Sequence, residues 1–394
     1  MISEKQRPLY LQRIEQFINR LGRRLLSDDV LFDATYSLSK DPVPFAQRLD
    51  GDYVPAYEGD QWGETWDSAW FLLNAEVPDT WAGKRVVAQL DFNGEALIFN
   101  DEGLPLQGLS NGSIFEKGFA RDIFPLFERA AGGEEISLWV EAAAFSRFGV
   151  NRDEDPARNC PTRHGTYCGK VNKIRLAVYE IEPYHLWLDL SVLFDLYGAI
   201  PENSTRAVRI LRGLSKAIDV FADDPHNASV CREIVRPLLA QKAHASSITA
   251  TAVGHAHIDT GWLWPVKEAI RKSARTFANQ LDLIDKYPDY IFGASQPAHY
   301  AMVKKHYPAL YEKIKAAVKA GRWEPQGGMW VEADCNVTGA ESLVRQFIHG
   351  KNFYMDEFDF DVKNLWIPDV FGYSASIPQI MKRAGVDYFL TQTR

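Results

Sequence analysis

Cysteine is scarce in this chain: four occur in 394 residues, Cys160, Cys168, Cys231 and Cys335. That is too few for a disulfide framework, and it points to a reducing compartment and a cytoplasmic location. Long apolar runs are also missing. No stretch approaches the roughly 18 uncharged apolar residues of a membrane span. The N-terminal segment MISEKQRPLYLQRIEQFINRLGRRL has neither the continuous apolar core nor the small-residue cleavage site of a secretory signal. No run or stripe of Lys and Arg is found, and the net charge is −8, which argues against nucleic acid as a partner. What is present is 46% hydrophobic and 24% charged residues, the balance of a folded water-soluble chain, over a length that suits two or three domains.

Texture divides the chain. Residues 1–29 read as an amphipathic N-terminal helix, with Leu9, Leu11, Ile14, Phe17, Ile18 and Leu21 near helical spacing. From 30 to 182 the runs are short, β-branched and aromatic, as in SAWFLLNAEV, RVVAQLDF, EALIFND and EISLWVEAAA, and turn residues separate them. That pattern predicts a β-sandwich. Residues 183–245 read as a helical connector, in which STRAVRILRGLSKAIDVF begins with a Ser/Thr cap and Pro237 should kink or divide the last helix. From 246 to 394 strand-like and helical segments alternate, beginning with SITATAVGH. Repeated β-then-α units predict a parallel sheet with helical crossovers, and a barrel would need further strands to close.

In such sheets, functional groups gather where strands end and loops begin. After the first predicted strand, GHAHIDTGWLWP carries His255, His257 and Asp259. Residues two apart in extended chain share a face, so His257 and Asp259 can address one metal ion, and His255 has the same parity. Imidazole nitrogen with carboxylate oxygen suits zinc, although H-x-D after a strand also occurs without a metal. Later strand ends offer Gln296 and His299, then Glu332 and Asp334 beside Trp330, then Asp369. Such carboxylates also serve as caps of the following helix. Asp369 stands among Trp366, Phe371 and Tyr373, and such rings either pack a core or stack on sugar C–H faces. Cys160, His164 and Cys168 form C-x3-H-x3-C, which lacks the second pair of a structural zinc site and reads better as loop residues.

GHAHIDTGWLWP, GGMWVEADCNVTGAESLVRQF and WIPDVFGYSASIPQIMKRAGVDYFLTQT, in that order, resemble glycoside hydrolase family 38, the retaining, zinc-dependent α-mannosidases, in their cytosolic and bacterial branch. The resemblance is strong over 246–394 and weaker over 30–245. It implies a multidomain α and β chain: an N-terminal β-sandwich, then the first half of a parallel α/β barrel of an incomplete seven-stranded type. It implies one zinc held by His257, Asp259 and Asp369, with Asp369 also the catalytic nucleophile. Trp262 then lies under the bound mannose and Phe371 lines the site, while His255 and Asp334 support the ligands without binding the metal. The family's fourth zinc ligand, a histidine, and its acid/base carboxyl lie further downstream, so the expectation is a fragment with little activity of its own. The expected substrate is a terminal α-mannoside or oligomannose, with no nucleic acid or membrane partner; oligomeric state is not legible. Two other readings stay open at this point. One is a carbohydrate-binding module without catalysis. The other is a different metal hydrolase using H-x-D, against which GWLW and DVFGYS speak.

Overall fold

The computed structural model of the chain describes residues 5–110, 112, 120–145 and 168–392. The C-x3-H-x3-C pattern therefore lies outside the described residues, apart from the backbone of Cys168. Helix α1 (Arg7–Gly22) opens the chain. Twelve strands follow: β1 (Leu26–Leu31), β2 (Asp33–Ser39), β3 (Val54–Pro55), β4 (Gln61–Glu64), β5 (Ser68–Glu76), β6 (Val86–Asp91), β7 (Glu95–Phe99), β8 (Pro105–Ser110), β9 (Ile123–Phe127), β10 (Glu135–Ala143), β11 (Cys168–Lys170) and β12 (Lys173–Tyr179). Next come helices α2 (Ile181–Ala199), α3 (Thr205–Phe221) and α4 (Ala228–Leu239). The last part alternates: β13 (Gly254–His255), α5 (Val266–Lys286), β14 (Phe292–Ala294), α6 (Pro297–His306), α7 (Pro308–Lys319), β15 (Trp323–Pro325), α8 (Ala340–Phe358), β16 (Asn364–Trp366), α9 (Ile377–Arg383) and β17 (Tyr388–Leu390).

Two antiparallel sheets, ordered β1-β12-β6-β9 and β3-β2-β5-β10-β7-β8, face one another as a sandwich. Strand parity explains why the runs SAWFLL and ISLWVEA are apolar without interruption. On β5 and β10, Phe71, Leu73, Leu138 and Val140 point into the sandwich core. Their neighbours Trp70 and Trp139, with Leu97 and Phe99 on β7, belong to a second core shared with α5, α6, α7, β14 and β15. A strand covered on both faces loses the alternation that a half-exposed strand shows. The six-stranded sheet is thus the partition between the sandwich and the α/β part.

Across that partition lies a buried cluster of ions. Arg271, Lys272 and Arg275 of α5 meet Glu268 one turn earlier, Glu141 of β10 and Glu95 of β7. Arg271 Nη1 donates to Ser68 Oγ at 2.8 Å and lies 3.3 Å from Glu141 Oε1, while Nη2 pairs with Glu268. Arg275 reaches Glu95 at 2.8 Å. Burial alone would push the Glu95 carboxyl up, yet Lys272 and Arg275 outweigh it and hold it below the ordinary value. Magnitudes assign the roles. Burying an apolar side chain such as Leu97 or Phe99 contributes about 1.5–3 kcal/mol. A complete buried ion cluster roughly breaks even against its desolvation, but it fixes which surfaces meet, and removing one member is costly.

The parallel strands form a three-stranded sheet, β13-β14-β15, and a two-stranded one, β16-β17. Here the sequence reading needs correction at SITATAVGH. Strand pairing is confined to Gly254 and His255, and Ile248 is exposed. The β-branched run has strand propensity but no neighbouring strand along it, and pairing supplies most of what holds a strand. In the helical part, Ser204 caps α3 by accepting the Ala207 N–H, as the sequence predicts. Pro237 does not divide α4: it falls in the last turn, and only Leu238 and Leu239 of the helix follow it, so almost no helix lies beyond it to be displaced. Helix α1 packs with α2, α3 and α4 in one core through Ile14, Phe17, Ile18 and Leu21, with Phe17 edge-on to Phe221. The N-terminal helix and the connector are therefore one unit. No helix among the described residues is long and apolar enough to cross a membrane.

Glu268 is fully buried between Arg271 and Arg275. Replacing Glu268 with Ala leaves Arg271, Lys272 and Arg275 facing only two carboxylates, Glu95 and Glu141, and so one buried positive charge uncompensated. The expected cost is about 3–5 kcal/mol of unfolding free energy in denaturant titration. A loss below about 1 kcal/mol would show that the cluster does not hold the partition together.

Candidate active site

The site is built where β13, β14, β15 and β16 end. After β13, Asp259, Thr260 and Gly261 turn sharply; Gly261 sits at φ +83°, a conformation open to glycine at little cost, and its N–H donates to the Asp259 carbonyl. The same carbonyl accepts the Trp264 indole N–H at 3.1 Å. The loop is further tied to the segment after β14. Gln296 Nε2 donates to the Ile258 carbonyl at 2.7 Å, and the Thr260 hydroxyl lies between Gln296 Oε1 and His299 Nε2, at 3.1 and 2.7 Å. Burial lowers the His299 pKa to about 3, so this ring is a neutral hydrogen-bonding part of the scaffold.

Three of the sequence candidates converge. His257 Nε2 lies 3.3 Å from Asp259 Oδ1 and 3.9 Å from Asp369 Oδ2. A fourth group joins them that the sequence reading left without a role: Glu332 Oε2 lies 2.7 Å from His257 Nδ1, and its side chain is 4% exposed. Burial alone would lower the His257 pKa, but the close carboxylates of Asp259 and Glu332 outweigh it and raise it to about 10. One imidazolium amid Asp259, Glu332 and Asp369 leaves the cluster two charges negative, a setting that suits a divalent cation. As the side chains stand, no group of three or more His, Cys, Asp or Glu among the described residues is drawn together as a metal cage. Their spacing is that of a hydrogen-bonded imidazolium with its counter-ions. The donor chemistry, one imidazole nitrogen and carboxylate oxygens about that nitrogen, is nevertheless that of zinc.

The other candidates stand apart from this cluster. His255 Nδ1 pairs with the Gly293 carbonyl and Nε2 accepts the Trp366 indole N–H, both at 2.9 Å, so the ring ties β13 to β14 and β16. Burial lowers its pKa and favours the neutral form that accepts that bond. Asp334 is exposed and accepts the backbone N–H of Asn336 and Val337, so its carboxylate holds a turn. These amides also hold its pKa below the ordinary value. Trp262 and Phe371 are 52% and 76% exposed, at the open side of the site loops. Gly372, next to Phe371, lies against the side-chain amide of Asn336, which would have to move aside for a larger residue, so the loops after β15 and β16 meet here. The sequence reading named Glu332 among the strand-end carboxylates without a role; a lone charge in the run GMWVEA demands a partner, which was the signal for one.

Fold and site together define a class: an antiparallel sandwich backing a parallel α/β domain, with imidazole and carboxylates gathered at the strand ends. Residues 247–394 match the glycosyl hydrolases family 38 N-terminal domain, and residues 32–174 match the alpha-mannosidase jelly roll domain. The chain thus carries the family 38 N-terminal domain behind an alpha-mannosidase jelly roll. Among curated relatives, Alpha-mannosidase 2C1 of Homo sapiens is 32% identical over 97% of this chain and 37% of its own length. Alpha-mannosidase G of Dictyostelium discoideum is 30% identical over 98% of this chain and 36% of its own. Alpha-mannosidase of Saccharomyces cerevisiae is 27% identical over 84% and 31%. The chain spans little more than a third of the length of these relatives.

The raised His257 pKa has a pH consequence for the metal-free chain. A group whose folded pKa of about 10 exceeds its unfolded value near 6.5 gives stability that is complete below pH 6.5 and is lost as pH rises through 10. Unfolding free energy measured from pH 6 to 10 should therefore fall more steeply in the wild type than in His257→Gln. Parallel curves would contradict the assignment.

Proposed function

We propose that the chain supplies the zinc-binding and nucleophilic part of an enzyme that hydrolyses terminal α-D-mannosides with retention. The observation that carries this reading is the convergence of Asp259 and Asp369 on one nitrogen of His257, within a domain matching family 38. His257, Asp259 and Asp369 would hold the zinc. When bound, zinc supplies Lewis acidity toward the vicinal hydroxyls of a mannose ring and favours its distortion toward the oxocarbenium ion. The five parallel strands are read as part of a barrel, which is supported by the placing of every site loop after a strand.

Asp369 is the proposed nucleophile. Its side chain is 41% exposed, so a sugar can reach it, and it would attack the anomeric carbon as the glycosidic bond breaks, the aglycone leaving as an alcohol with a proton from the acid/base carboxyl; water then hydrolyses the glycosyl-enzyme, returning that proton and freeing Asp369. A retaining enzyme also needs an acid/base carboxyl about 5–5.5 Å from the nucleophile. Neither Glu332, buried against His257, nor Asp334, occupied by its turn, is assigned that role. Trp262 and Phe371 offer exposed ring faces to the C–H side of the sugar. A cytoplasmic location is supported by the scarcity of cysteine.

The test is calorimetric titration of the zinc-loaded chain with methyl α-mannoside, beside the α-glucoside and the β-mannoside. Binding should favour the α-mannoside and vanish in Asp259→Ala together with zinc uptake. Failure to take up zinc, or equal binding of the three glycosides, would contradict the reading. Mannoside binding that survives loss of zinc would favour a binding module instead.

A further inference from the structure

Two buried polar atoms face each other across the site loop. His257 Nδ1 and Glu332 Oε2 are each shielded from solvent, and neither has a complete hydrogen bond, because their approach at 2.7 Å is off the line. Each is the partner that the other lacks, and buried polar atoms are rarely left unpaired. Glu332 itself is firmly held. Its Oε1 accepts the Ser295 hydroxyl at 2.6 Å, and its backbone N–H donates to Gln296 Oε1 at 3.2 Å. Gln296 in turn holds the Ile258 carbonyl, next to His257 in the chain. Residues after β14 and β15 thus grip the His257 ring from behind.

We propose that Glu332 is a positioning residue: by accepting a hydrogen bond from the His257 Nδ1–H it fixes the ring and directs the Nε2 lone pair toward the space between Asp259 and Asp369. This rests on the reading of His257 as a metal ligand. The chemistry is general: a ligating imidazole that gives its second N–H to a carboxylate is held in one tautomer and made a better donor. Ser295 keeps Glu332 in place, at the far end of the same relay.

The experiment compares the wild type with Glu332→Gln, Glu332→Ala and Ser295→Ala. Zinc affinity is measured by competition with a chromogenic chelator. The His257 Nδ1 proton is followed by NMR, with native spectra of each variant recorded to show that it folds. The expected result is a solvent-protected Nδ1 proton in the wild type and in Glu332→Gln, where an amide oxygen still accepts it, and its loss in Glu332→Ala. Zinc affinity should fall about 10–100-fold in Glu332→Ala and less in Glu332→Gln and Ser295→Ala. Unchanged zinc affinity in folded Glu332→Ala, or a His257 Nδ1 proton unaffected by that change, would overturn the proposal. A wild type that shows the Nδ1 proton, lost in Glu332→Ala, but takes up no zinc would sink the metal-ligand reading while the positioning contact stands.

Discussion

Helix α5 is the element on which the rest depends, because its buried charges cannot be neutralised from within the α/β part alone. Glu268 partners Arg271 and Arg275 on the helix, but Glu95 and Glu141 come from the sandwich. Taking Arg271 and Lys272 out of water is tolerable because those carboxylates wait on the facing sheet. The apolar surface beside them, with Trp70, Leu97, Phe99 and Trp139 against Phe277 and Phe292, supplies the net driving force. Electrostatics then selects one docking of the two parts over others of similar apolar area.

That docking reaches the site through few steps. Helix α5 begins directly after Pro265, the end of the site loop. Lys272, paired with Glu95 of the sandwich, also lies over the Trp264 ring at 4.6 Å, a favourable cation–π position. Trp264 donates its indole N–H to the Asp259 carbonyl. The sandwich therefore braces the backbone of a residue that faces His257, although among the described residues no sandwich side chain is paired with the cluster. On the opposite side, Ser295, Gln296 and Glu332 brace the His257 ring and the Ile258 backbone. The geometry of the cluster is set from two directions by groups that lie outside it.

What could be read from the sequence follows from the range of the interactions concerned. The sandwich strands and α3 with its Ser204 cap rest on local periodicity, and they were legible. That His257 and Asp259 lie side by side follows from two residues along an extended chain sharing a face, while the approach of Asp369 joins loops 110 residues apart and was expected from the family resemblance. The buried cluster was not legible, since Arg271 and Glu141 are 130 residues apart and nothing local marks them as partners. Glu332 was hidden in the same way: its meaning lies in a ring contributed by a different strand end. SITATAV misled because β-branched residues carry propensity without specifying a neighbour. For Asp334 the sequence left a capping role and a supporting role open, and the structure shows its carboxylate accepting two backbone N–H groups of a turn.

The central claim is that His257, Asp259 and Asp369 form one metal site. Its most direct test is diffraction at the zinc absorption edge from a crystal of the zinc-treated chain. The account predicts a single strong anomalous peak about 2.0–2.2 Å from His257 Nε2 and from carboxylate oxygens of Asp259 and Asp369. Ordered side chains with no peak among them, or a peak bound elsewhere while His257 keeps its hydrogen bond to Asp259, would contradict it.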